Sequence, residues 1–136
     1  MLGEKIGEFQ GKVTGQRVLP PEEERPRFET TVEISGAILS IPTRVLATYE
    51  SVILPDGSLY GELVGGVFIT QDGKDMATYK ATGAGRFTGD GGVSHRGAAY
   101  LQGGTGKLAP LNGVALVFDW DVDGNGNGRW SLWEWK

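Results

Sequence analysis

Long stretches of period-two alternation, with glycines inside them, run through almost the whole chain. Residues that alternate in this way point to opposite faces of a β-strand. From about Lys5 to Leu19, Gly7, Phe9, Gly11, Val13 and Gly15 share one face, and Glu8, Gln10, Lys12, Thr14 and Gln16 share the other. From about Arg27 to Leu39, Phe28, Thr30, Val32, Ile34 and Ile38 stand opposite Glu29, Thr31, Glu33 and Ser35. Further strands are expected over about Thr43–Leu54, Leu59–Gln71, Met76–Thr88, Val93–Gln102, Leu111–Trp120 and Arg129–Lys136. Turn residues separate them: Pro55-Asp56-Gly57-Ser58, Asp72-Gly73-Lys74 and Gly89-Asp90-Gly91-Gly92. Pro20, Pro21 and the carboxylates Glu22 to Glu24 read as a solvated loop, because proline cannot donate to a ladder and like charges repel. Gly65-Gly66 in mid-strand predicts a bulge or sharp bend.

About eight long strands joined by short connections make an antiparallel meander. The glycines decide between architectures. There are 23 in 136 residues, with no collagen period and no linker run. Tightly curled sheets need residues without a Cβ where the backbone bends hardest, and closure removes the free edges of apolar strands. The expectation is all-β: one closed, antiparallel, up-and-down barrel spanning residues 1–136 as a single domain.

Charge and composition narrow the function classes. A net charge of −4 with no basic cluster argues against nucleic acid and anionic membrane as partners. With no cysteine there is neither disulfide nor thiol chemistry. No basic-then-apolar leader and no apolar run of about 20 residues is present, so a cytoplasmic location is expected.

The run Gly103-Gly104-Thr105-Gly106-Lys107-Leu108, followed by Leu111 and Gly113, resembles the glycine-rich hairpin of the allene oxide cyclase and dirigent barrels, a calycin-type group. The upstream run Gly83 to Gly89 and the aromatic last strands fit that strand order. The resemblance implies a small prokaryotic member of the allene oxide cyclase-like barrels. It also implies an oligomer and an activity among cyclisations and isomerisations. No catalytic residue of those families aligns with a position here.

Other motifs fail on spacing. Gly103–Leu108 lacks the glycine and the Ser/Thr of a P-loop, which would fall at Leu101 and Leu108. Gly83-x-Gly85 has Thr88 where a dinucleotide fingerprint needs its third glycine. Asp119, Asp121 and Asp123 alternate as calcium ligands do at the start of an EF-hand loop, but Trp130 stands where the bidentate glutamate belongs. A polar hairpin loop is the plainer reading, and neither a metal nor another cofactor is expected.

His95, the single histidine, is a general-base candidate with Tyr79 beside it as a second catalytic candidate. The plainer reading of His95 is a structural strand residue. Phe9, Tyr49, Tyr79, Phe87, Tyr100 and Trp133 are the expected ligand-lining residues, since each offers a flat apolar body. In the last strand Trp133 and Trp135 share one face, and Trp130 and Leu132 the other. One face fills the barrel, and the second asks for a subunit interface, hence a homo-oligomer. Two functions remain open. Either the barrel binds a small apolar or aromatic molecule, with or without cyclase or isomerase chemistry, or its interior is packed solid and it acts as an oligomeric interaction module. Tyr79, Gly83 and Gly85 discriminate: their face lines an open volume in the first case and is filled from opposite strands in the second.

Overall fold

The computed structural model describes residues 2–136. Eight strands close into one antiparallel barrel in sequence order. They are β1 (Leu2–Glu22), β2 (Arg25–Ile38), β3 (Ile41–Ile53), β4 (Ser58–Thr70), β5 (Met76–Phe87), β6 (Val93–Gln102), β7 (Ala115–Val122) and β8 (Asn127–Trp135). A 3-10 helix, Gly106–Leu111, joins β6 to β7. Closure is made by β1 against β8, with Phe9 opposite Trp130. The curl shows at Gly11 and Gly36. A Cβ on either would run into a carbonyl oxygen of the neighbouring strand, Glu33 and Glu8 respectively. Any side chain there would push β1 and β2 apart.

The alternation sorts faces as expected in β1 and β2, where Phe9, Val32, Ile34 and Ile38 are buried inside. The glycine pair of β4 does mark a bulge. Tyr49 pairs with Leu63 and Thr48 with Gly65, which leaves Val64 out of register. The inward set of β4 therefore switches from Leu59 and Gly61 to Phe68 and Thr70. The β4–β5 ladder is also interrupted, between Glu62↔Thr82 and Val67↔Thr78.

Two boundaries differ from the sequence expectation. Pro20 and Pro21 lie inside β1, not in a loop. The ladder skips from Leu19↔Arg27 to Glu22↔Arg25, so the prolines sit in a bulge that asks no N–H of them. Pairing of β1 with β8 has already ended at Lys12↔Asn127, so this part of β1 carries a free edge. The tight turn is made by Glu23 and Glu24, both at positive φ. The seventh strand starts at Ala115, because the residues before it form the 3-10 helix that tucks Leu108 and Leu111 into the barrel.

The two ends of the barrel differ. At the end carrying the β2–β3 and β4–β5 turns, Leu108 and Leu111 plug the opening above a cluster of Phe9, Phe68, Tyr79 and Trp130. Phe68 lies 5.0 Å from Tyr79 and 5.7 Å from Trp130, centroid to centroid. The other end, with the β3–β4, β5–β6 and β7–β8 turns, is open.

Candidate functional site

The open end forms a vestibule of about 390 Å³. Its walls are Val13, Phe28, Ile53, Leu59, Phe87 and Val122, with Gln16, Thr30 and Ser51 among the polar groups. A smaller cavity of about 70 Å³ lies beneath it, lined mainly by Tyr79, Ala81, Phe118, Trp120 and Trp130. That space would hold on the order of five waters at about 10–15 Å³ each, so it is too small for a drug-sized ligand by itself. The vestibule is within the ligand-pocket range of about 300–1,000 Å³. Tyr49 and His95 line both spaces and separate them. Beside the inner cavity, where the β4–β5 ladder is broken, Leu63, Tyr79 and Ala81 also border a depression on the outer surface.

Tyr49 comes from the part of β3 that faces the β4 bulge and is held by a hydrogen bond donated by Trp120 Nε1 to its hydroxyl, 3.1 Å. Burial pushes its phenol above the ordinary range, and hydrogen bonds with Trp120 and Thr30 partly offset this. Thr30 in turn accepts from Gln16 Nε2 at 3.3 Å. A polar line thus crosses the floor from β1 to β7. His95 stands beside it, its ring 6.3 Å from that of Tyr49 and nearly edge-on. It is 4% exposed. The ring lies over backbone without side chains: a Cβ at Gly85 would come within 2.5 Å of its Cδ2, and one at Gly61 within 3.5 Å. No protein group among the described residues hydrogen-bonds either ring nitrogen. Leaving a buried polar group unmatched costs about 1–3 kcal/mol. Burial pushes the imidazole pKa down; Asp121 opposes that shift and Arg96 adds to it. The ring is therefore neutral near pH 7, with one donor and one acceptor nitrogen.

The expected ligand-lining residues separate into three groups. Tyr49 and Tyr79 border the cavity, and Phe87, although 55% exposed, stands at the rim of the vestibule. Phe9 points inward but is buried in the closed-end cluster, against Phe68 and Trp130. Tyr100 and Trp133 do not line the interior. Tyr100 is on the outer face of β6, because His95, Ala99 and Leu101 take the inner one. Trp133 is outside because β8 turns Trp130 and Leu132 inward; Lys5 Nζ covers its ring at 5.6 Å from the centroid.

Of the two catalytic candidates, Tyr79 is packed in the aromatic cluster, where burial and the nearby Tyr49 hold its phenol well above its ordinary pKa. Gly85 is covered by the His95 ring, whereas Gly83 and Tyr79 line the inner cavity. The discriminating face is thus filled at Gly85 and open around the small cavity. The three aspartates part company. Asp119 and Asp121 lie outside, paired with Arg96 at 3.1 and 3.2 Å, and Asp123 accepts the backbone N–H groups of Asn125 and Asn127. Among the described residues no three metal-ligating side chains converge.

Sequence reasoning missed Phe28, Phe118, Trp120 and Trp130 as lining residues. The signal was present in β7: Asp119 and Asp121 mark one face as solvated, which sends Leu116, Phe118 and Trp120 inward.

No family model matches the chain, and no curated protein matches it. Solved structures do resemble it. A protein of unknown function from Clostridium acetobutylicum ATCC 824 superposes with a TM-score of 0.81 at 11% identity, over 98% of this chain and 99% of that one. A conserved protein of unknown function from Rhodopseudomonas palustris gives 0.80 at 11%, over 98% and 97%. A β-barrel-like protein from Acinetobacter baumannii AYE gives 0.81 at 12%, over 100% and 96%. At such identities the likeness establishes the barrel and nothing finer. No helix among the described residues is long and apolar enough to cross a membrane.

Proposed function

We propose that this barrel binds a small apolar or aromatic molecule in its open half. The observation that carries the reading is the asymmetry of the barrel: one end is plugged by Leu108 and Leu111, while the other opens into a vestibule of about 390 Å³ floored by Tyr49 and His95. Apolar walls supply affinity and a few convergent polar groups supply orientation, the usual make-up of a small-molecule site. A ligand below roughly 500 Da suits this volume. The resemblance of Gly103–Leu108 to the allene oxide cyclase-like and dirigent-like barrels extends the reading to a cyclase or isomerase that works by shaping a reactive substrate. Chemistry of that kind needs few ionisable groups, and the inner face has few. A cytoplasmic location belongs to the same proposal.

The test is native mass spectrometry of protein purified from its own host, paired with thermal-shift screening of an apolar compound library. The expected result is a non-covalent adduct of low mass and a raised Tm with aromatic compounds. Ligand-free protein with no shift across the library would overturn the reading.

A second reading is favoured by the solid packing of the closed end and by Trp135, 59% exposed on the outer face of β8 near Leu2. In it the barrel is a non-catalytic homo-oligomeric module. Light scattering that finds a monomer at all concentrations would remove it.

A further inference from the structure

His95 is the described residue whose buried ring nitrogens find no partner in the protein. Its neighbours are served: Tyr49 is bonded by Trp120, and Thr30 by Gln16. A leucine or phenylalanine would fill the recess over Gly61 and Gly85 without this penalty. Buried polar groups left unmatched call for an explanation, and a ligand is one when the group borders a pocket. His95 borders both the vestibule and the inner cavity.

The linings also say what the partner carries. Neither space is lined by Lys or Arg, and the carboxylate-bearing Asp123 stands at the vestibule. A carboxylate or phosphate entering here would meet no cation and would give up its hydration. An uncharged hydroxyl can donate to the acceptor nitrogen of a neutral imidazole and take a hydrogen bond from the other nitrogen only by turning the ring, so one such bond is the expected contact. The aromatic walls, Phe28, Phe87 and Trp120 among them, suit a flat ring.

We propose that His95 is the polar anchor of the barrel, and that its ligand is an uncharged aromatic bearing a hydroxyl group. This rests on the ligand-binding reading above and specifies it. Binding requires a small turn of the His95 ring or of Tyr49, because the nitrogens face protein in the unliganded barrel.

The experiment compares naphthalene, naphthol and naphthoate by tryptophan fluorescence titration of the native chain and of His95→Leu. Naphthol is expected to bind the native chain about tenfold more tightly than naphthalene, the effect of one good hydrogen bond. In His95→Leu that ratio falls to near one. The chain has a single histidine, so nitrogen NMR of the native protein reads the same contact without a variant. Saturating naphthol should move one imidazole nitrogen resonance, and naphthalene should leave the acceptor nitrogen in place. An unchanged naphthol-to-naphthalene ratio in His95→Leu, or imidazole signals indifferent to naphthol, overturns the anchor while leaving the ligand-binding reading intact. Naphthoate binding more tightly than naphthol overturns the ligand class. Failure of every probe to bind the native chain overturns both.

Discussion

The two ends of the barrel are made by the same eight strands, and they use their inward side chains in opposite ways. At the closed end Phe9, Phe68, Tyr79 and Trp130 meet ring against ring, and the 3-10 helix seals them with two leucines. At the open end the inward positions of β1 to β4 carry Val13, Phe28, Ser51 and Leu59 around a space that none of them fills. Ring-against-ring packing is therefore concentrated at one end, and the interior of the other is left unfilled.

Truncations at the two ends should separate these duties. Phe68→Ala removes the ring that touches Phe9, Tyr79 and Trp130, and is expected to lose about 3–5 kcal/mol in denaturant unfolding. The same change at half-exposed Phe87 should cost within about 0.5 kcal/mol, as at other surface sites, while weakening aromatic probes. Equal losses at both positions would erase the distinction between a structural and a binding end. Leu108→Ala should cost about 2–5 kcal/mol, because the plug residue is fully buried; a loss below about 0.5 kcal/mol would mean the helix merely covers a barrel already sealed.

A smaller effect probes the border between the halves. Burial lowers the pKa of His95 in the folded chain below its ordinary 6.5. Between those two values the unfolded chain binds the proton that the folded chain refuses. Stability should therefore decline as pH falls through 6.5, until the folded-state value is passed. The slope contributed by this one group cannot exceed about 1.4 kcal/mol per pH unit. His95→Leu should flatten that part of the profile, measured by urea midpoints from pH 7.5 down. A variant as steep as the native chain would place the acid sensitivity elsewhere. The smallest change concerns the β2–β3 turn at the closed end, where Leu39 and Ser40 both have positive φ. Replacing them by Asn and Gly should raise stability by about 0.5–1 kcal/mol, since those residues adopt that conformation readily. A decrease would show that Leu39 contributes packing its exposure does not suggest.

The architecture was legible because alternation and glycine placement are local. Phe9, Val32 and Ile34 declare their face by their neighbours, and Gly65-Gly66 declares the bulge. The site was legible only where one face of a strand is plainly polar. In β8 both faces carry tryptophan, so nothing local says that Trp130 goes in and Trp133 stays out; that is settled by pairing with Phe9 and by Lys5. In β6, Tyr100 looked like cavity material by size, yet the parity set by His95, Ala99 and Leu101 turns it to the outside, 48% exposed. The 3-10 plug was invisible because Leu108 and Leu111 mimic the start of a strand. The loneliness of His95 follows from what surrounds it in space, and no spacing along the chain encodes that.

The paired prolines of β1 gain meaning from where they lie. A closed cylinder of strands removes most free edges, but the stretch of β1 that outruns its partner β8 keeps one. Val18, 74% exposed, adds an apolar side chain to it. Proline cannot donate an amide hydrogen, so the pair blunts the end of this edge as a template for an incoming strand.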